Sequence, residues 1–297
     1  MKVTLPAGVL AMSARGDDWA AWVQGLPRLV AGLMDDWALT LDGAALHGNA
    51  ALVLPVQDVD GAPAVLKVGW PHDEAEHEHL ALQHWHGNGA VRLLRADPGR
   101  WAMVLERLDT TDLTDLWDLE ACEIVAGLYQ RLHVRAPPQL RLLTSYVERW
   151  NDDLVRLPRN APVPRRLVEQ AASLARDFVA DEASHGTMIH TDLHYENVLG
   201  GDREPWLVID PKPLSGDPHF EVAPLLWNRW DELEGDVRGG LRRRFHATVD
   251  AAGFDEHRAR DWVVVRMVHQ AVSEIVTMSP DHDRLTRCVA IAKAVQD

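Results

Sequence analysis

A chain of 297 residues can bury a sizeable core, as one large or two small domains. Its formal charge of −15 disfavours a nucleic-acid backbone as partner and favours cationic ligands, and no apolar run reaches the length of a membrane span. Two cysteines, Cys122 and Cys288, without C-x-x-C spacing fit a reducing compartment and a cytoplasmic location.

The first stretch, Met1 to Ala14, has one lysine and an apolar run with a faint signal-peptide character, which Pro6 and Gly8 interrupt. Asp17 and Asp18 can cap a helix with Trp19, Trp22, Val23 and Leu26 inward. Pro27 suits the first turn of a second helix carrying Leu29, Val30 and Leu33. This tryptophan-bearing stripe lacks the cationic face of a membrane-surface helix, so it reads as core packing.

From Trp37 to Val68 the period changes to two, giving strands over 37–41, 51–56 and 64–68, with Asp60-Gly61 as a hairpin signal. The turn at 42–49 holds two glycines, Gly43 and Gly48. Lys67, one of four lysines, stands inside an apolar strand, where a charge needs a partner; an edge lysine pointing to water is the lesser alternative. A helix from Pro71 or Asp73 runs through Glu74, Glu76 and Glu78 and stops at Gly87. Its histidines show no H-E-x-x-H spacing and read as a solvated face. Strands over 91–96 and 101–108 bring the total to five.

Helices follow over 116–134, 145–157 and 164–185. Then comes Met188-Ile189-His190-Thr191-Asp192-Leu193-His194-Tyr195-Glu196-Asn197, and, thirteen residues after Asn197, Asp210 closes the apolar run Trp206-Leu207-Val208-Ile209. H-x-D-L-x-x-x-N followed by an Asp at a strand end is the layout of a kinase catalytic loop and its magnesium aspartate. A carboxylate must take the proton of a substrate hydroxyl, which fits Asp192. An amide oxygen and a second carboxylate must hold Mg²⁺ against ATP phosphates, which fits Asn197 and Asp210. The flanking apolar pairs predict a hairpin turning at Gly200-Gly201-Asp202, with Asn197 and Asp210 at the same end. Singly, each Asp is as readily a turn cap or a strand end. Helices over 221–234, 237–252, 257–277 and 283–296 complete the chain.

His190 to Asn197 with Ile209-Asp210-Pro211 resembles the aminoglycoside phosphotransferase family. Ser215-Gly216-Asp217-Pro218-His219-Phe220-Glu221 and the residues to Trp230 resemble its streptomycin 6-phosphotransferase and hydroxyurea-kinase branch. The resemblance implies an α+β, two-lobed protein-kinase-like fold. Residues 1–108 would form a small lobe with two leading helices and a five-stranded antiparallel sheet, and 109–297 a helical lobe with the catalytic loop and acceptor site. It implies an ATP- and Mg²⁺-dependent transfer of the γ-phosphate to a hydroxyl of a small cationic acceptor such as streptomycin, by a monomer or homodimer. It also makes Lys67 the phosphate-binding lysine, held by Glu76, with Glu78 or Glu74 as alternatives. The turn with Gly48 becomes the flap over the phosphates, and Glu106-Arg107-Leu108 the hinge whose backbone meets adenine.

Two departures from protein kinases matter. Thr191 replaces the Arg of H-R-D, and Pro211-Lys212 replaces Phe-Gly, with no activation segment ending in A-P-E. A small-molecule substrate follows. Carboxylates bind guanidinium groups bidentately, so Asp217, Asp231 and Glu274, with Trp230, are the residues to consider for a cationic sugar. Glu221 reads instead as a brace of the catalytic loop. The alternatives are a kinase of choline, homoserine, methylthioribose or a ketosamine, a non-catalytic ATP-binding module, and a divergent protein kinase.

Overall fold

The computed structural model describes residues 3–277 and 281–296. The chain divides into two compact units, Met1–Thr110 with Gly200–Leu207, and Thr111–Leu199 with Val208–Asp297.

The first unit opens with α1 (Ala7–Met12), a tight turn at Ser13–Arg15, and α2 (Asp17–Asp36). The two helices expected on either side of Pro27 are one. Proline removes a single backbone donor, but Val23, Leu26, Val30, Leu33 and Met34 stay in phase across it and are all buried, so the apolar stripe carries the helix through. Val9 and Met12 of α1 join the same core.

Six antiparallel strands follow: β1 (Thr40–Leu41), β2 (Leu46–His47), β3 (Ala51–Gln57), β4 (Pro63–Gly69), then, after α3 (Glu78–Trp85), β5 (Leu93–Asp97) and β6 (Ala102–Glu106). Their order is β1-β3-β4-β6-β5, with β2 pairing β3 as well. The expectation was five strands; the sixth, β2, lies within the 42–49 turn, where two residues are too few to show a period. Leu52, Leu54 and Val56 of β3 and Ala64, Leu66 and Val68 of β4 pack with the α2 stripe in one core. Strand alternation therefore turns Lys67 to the opposite face.

The leading helices also grip the β2–β3 turn. Arg15 donates to the Asn49 carbonyl at 2.6 Å, and the His47 ring lies against Gly8, where a Cβ would fall 2.0 Å from Nε2. Arg15 sits 4.7 Å over the Trp19 ring, Trp19 stacks at 4.0 Å on Trp70, and the Trp70 N–H donates to Ala50. The segment Gly200–Leu207 is fastened by Arg203, which donates to Gly87 O, Ala90 O and the Glu106 carboxylate, each at 2.6 Å.

The second unit contains α4 (Asp118–Leu132), α5 (Leu143–Arg156), α6 (Arg165–Ala180), β7 (Thr187–Ile189), β8 (Val198–Leu199), the second residue of β9 (Leu207–Val208), β10 (Leu214–Gly216), α7 (Ala223–Trp227), α8 (Val237–Ala252), α9 (Glu256–Val276) and α10 (His282–Ala294). β7 pairs with β10, and β8 with β9 as the expected hairpin. Helices α6, α8, α9 and α10 enclose the main core, and Trp262 of α9 stacks on Phe178 at 3.8 Å.

The helix expected over 221–234 is cut short. Only Ala223–Trp227 is α-helical, between 3-10 turns at Pro218–Val222 and Trp230–Leu233, and Arg229 takes φ +52°. Two arginines explain the break. Arg244 donates to the carbonyls of Asn228 and Arg229, and Arg229 reaches those of Leu113 and Leu116, so side chains hold the backbone that a helix would otherwise use.

Candidate functional site

β7 delivers the chain into a loop that the backbone alone would not adopt. Thr191 stands at φ +66°, a costly conformation for a β-branched residue. Its N–H donates to Glu221 Oε1 at 2.5 Å, its carbonyl accepts from Arg266 at 2.5 Å, and its hydroxyl donates to Lys212 O at 2.7 Å. Glu221 thus braces the loop, as its sequence position suggests. Burial pushes its carboxyl up, but His133, His190 and the Thr191 N–H more than offset that and hold it below the usual range. Glu221 Oε2 and His133 Nε2, 4.0 Å apart, are buried without a hydrogen-bond partner. Arg266 itself lies over the rings of Phe220 and Trp227 at 4.1 and 4.7 Å.

His190 is fully buried and bonds at both ring nitrogens. Nε2–H donates to Ile209 O at 2.9 Å, and Nδ1 accepts from the Asp192 N–H at 3.2 Å. Burial lowers its pKa, which keeps this neutral tautomer in place. Asp192 forms an ion pair with Lys212. Burial raises the Asp192 carboxyl, but the ammonium beside it outweighs burial and holds it below the ordinary range.

The Asn197 amide nitrogen donates to Asp192 O at 2.8 Å and also lies 3.2 Å from His194 Nε2. That leaves the amide oxygen as its ligand-type atom. The Ile209 N–H donates to Asn197 O at 3.0 Å, so Asp210, at φ +56°, begins beside Asn197. An amide oxygen and a carboxylate are the hard donors that Mg²⁺ takes when phosphates and waters complete its shell. Among the described residues no cluster of three or more His, Cys, Asp or Glu could hold a metal, so an all-protein metal cage is not what this donor set offers.

In the first unit, Lys67 Nζ lies 2.6 Å from Glu78 Oε1. This corrects the choice of Glu76. The expected continuous helix is broken: Asp73–Ala75 forms a 3-10 turn and α3 starts at Glu78. That shifts the helical phase, leaving the Glu76 side chain 45% exposed and the Glu78 side chain only 4%. Gly48 lies in the β2–β3 turn, but its own N–H donates to Ala51 O, so it offers no donor to a phosphate. The Glu106 N–H is likewise taken by Arg92 O, and its carboxylate by Arg203 and the Arg92 N–H, while Leu108 packs beside Gly201.

The four residues considered for the acceptor fare differently. Asp217 is 1% exposed and accepts from the His219 N–H and ring, Arg258 and the Trp262 indole, so no lone pair is left for a guest. Its acceptor role is withdrawn. Trp230 packs on the main core with Arg287 5.4 Å over its ring, and Asp231 is fully exposed, 4.0 Å from the same arginine. Glu274 pairs with Arg284 at 3.0 Å. It is two turns beyond Arg266 on α9, roughly 12 Å of helix rise, and is not gathered into the loop network. Sequence reading passed over Lys212. Its signal was there: a rare lysine in an arginine-rich chain, directly after Asp210-Pro211.

The chain matches the family model described as aminoglycoside/hydroxyurea antibiotic resistance kinase over residues 36–275. It is 41% identical over 282 residues to a streptomycin 6-kinase of Streptomyces glaucescens, covering 92% of this chain and 91% of that protein. It is 38% identical over 285 residues to a hydroxyurea phosphotransferase of Kitasatospora aureofaciens, covering 92% and 81%. Among solved structures, an aminoglycoside phosphotransferase mutant bound to ADP and hygromycin B aligns with a TM-score of 0.59 at 18% identity, over 89% of this chain and 97% of that one. A choline/ethanolamine kinase family protein of Mesorhizobium loti aligns at 0.63 and 15%, over 91% and 95%. These two speak for a shared kinase-like α+β fold, and the sequence relatives for lineage. The chain belongs to the aminoglycoside/hydroxyurea antibiotic resistance kinase family.

Proposed function

We propose that this chain is an ATP-dependent O-phosphotransferase whose acceptor is streptomycin or a close guanidinium-bearing relative. The observation that carries the acceptor is the 41% identity, across nearly the whole of both chains, to a streptomycin 6-kinase. The net charge of −15 supports a cationic acceptor.

In this reading the chain's residues act as follows. Asp192 orients the acceptor hydroxyl and takes its proton as the oxygen attacks the γ-phosphorus. Asn197 and Asp210 would hold Mg²⁺, which would supply charge neutralisation for the phosphates. Lys67, held by Glu78, binds the phosphates of ATP. Glu221 and Arg266 keep Thr191, and so Asp192, in position.

The test is ADP release by the purified protein with Mg-ATP against streptomycin, other aminoglycosides, hydroxyurea, choline and simple sugars. Selective turnover of streptomycin is expected. Asp192→Asn should lower kcat by about 10²–10⁴-fold while ATP affinity stays close to wild type, as for loss of a general base. Turnover of another acceptor alone would overturn the assignment, and an active Asp192→Asn enzyme would overturn the mechanism.

A further inference from the structure

We infer that Lys212 is a positioning residue for phosphoryl transfer: it holds Asp192 Oδ2, so that Oδ1 is the oxygen that receives the acceptor proton. The inference rests on Asp192 being the base proposed above. The ion pair is built in from both sides. The Lys212 N–H donates to His190 O at 3.0 Å, and its carbonyl accepts the Thr191 hydroxyl at 2.7 Å. Pro211, with its fixed φ, stands directly before it. Lys212 is thus stitched to the two residues preceding Asp192, and its ammonium meets Oδ2 of that carboxylate.

Both side chains remain a quarter exposed, and a pair so open to water contributes little to stability. Its use lies in geometry and charge. A free carboxylate rotates between two equivalent oxygens; one tied at Oδ2 presents Oδ1 alone. In the transfer step the acceptor O–H bond and the bond between the γ-phosphorus and the bridging oxygen of ADP break. The acceptor oxygen–phosphorus bond forms, the proton passes to Oδ1, and ADP leaves with the electron pair. A fixed cation beside the base also lies where negative charge is handled, an arrangement that needs no reorganisation during the step.

Lys212→Met and Lys212→Arg test this in the full-length enzyme. For Lys212→Met, kcat should fall about a hundredfold, as for a misoriented base, with KM for ATP and for the acceptor changed less than about threefold. Lys212→Arg, which keeps the charge and a donor, should regain at least about tenfold of that loss. A merely structural lysine would move the thermal midpoint, not kcat alone. An unchanged kcat, a change confined to KM for ATP, or no rescue by arginine would each overturn the inference. The wild-type rate with streptomycin reports separately on the acceptor assignment. If streptomycin is not turned over, the same variant ratios are read from slow hydrolysis of Mg-ATP by water, and the same outcomes decide.

Discussion

Thr191 is held at positive φ by bonds from three different parts of the chain, Glu221, Lys212 and Arg266. Nothing local in the sequence announces that conformation, because it is imposed by partners 21, 30 and 75 residues away. The pattern behind the proposed site was legible: His190, Asp192, Asn197 and Asp210 stand at the spacing of a kinase catalytic loop and its metal aspartate, and Lys67 stood out as a charge in an apolar strand. The Lys67 partner was not legible, because the phase of α3 depends on the 3-10 turn before it. Glu78→Ala should therefore raise KM for ATP by about tenfold or more, as the lysine proposed to bind the phosphates loses its partner, whereas Glu76→Ala should leave it within about twofold. Steady-state kinetics on the two variants decides between them. Asp217 failed as an acceptor residue for a physical reason: a carboxylate buried at 1% exposure must spend its lone pairs on its own fold.

At the scale of elements, period was a good guide wherever one face is buried along a whole element. Strands β3 and β4 and helix α8 lie where alternation and 3.6-residue spacing put them. Period misled where tertiary hydrogen bonds override it, as at Arg229, and where a single proline suggested a boundary that the apolar stripe of α2 ignores. Pro27 is therefore a local conflict inside a stable helix. Pro27→Ala should raise stability by about 1 kcal/mol, the net of a restored backbone donor against the greater freedom of the unfolded chain. A denaturant midpoint that moves down instead would show that the ring packs in a way no alanine replaces.

For the molecule as a whole, burial of neutral imidazoles sets the response to acid. His190, His194 and His269 all have pKa values lowered by burial, His269 to about 4 from 6.5. An unfolded histidine takes its proton near 6.5 and the folded His269 only near 4, so between these values the unfolded chain binds more protons. Stability is then complete above about pH 6.5 and declines as pH falls toward 4. The depressed Asp192 and Glu221 carboxyls add a further loss as pH drops through their own folded values. Thermal midpoints measured from pH 7 to 4.5 should fall steadily, and His269→Asn should flatten that slope by removing one of the contributing groups.

The packing of Arg15, Trp19 and Trp70 around the β2–β3 turn gives this protein an optical gauge. An indole pair stacked at 4.0 Å, with a guanidinium over one ring and the turn's own carbonyl on that same guanidinium, ties the surroundings of two of the twelve tryptophans to the posture of residues 46–50. Any movement of that turn must disturb the arginine, and through it the environment of the stacked rings.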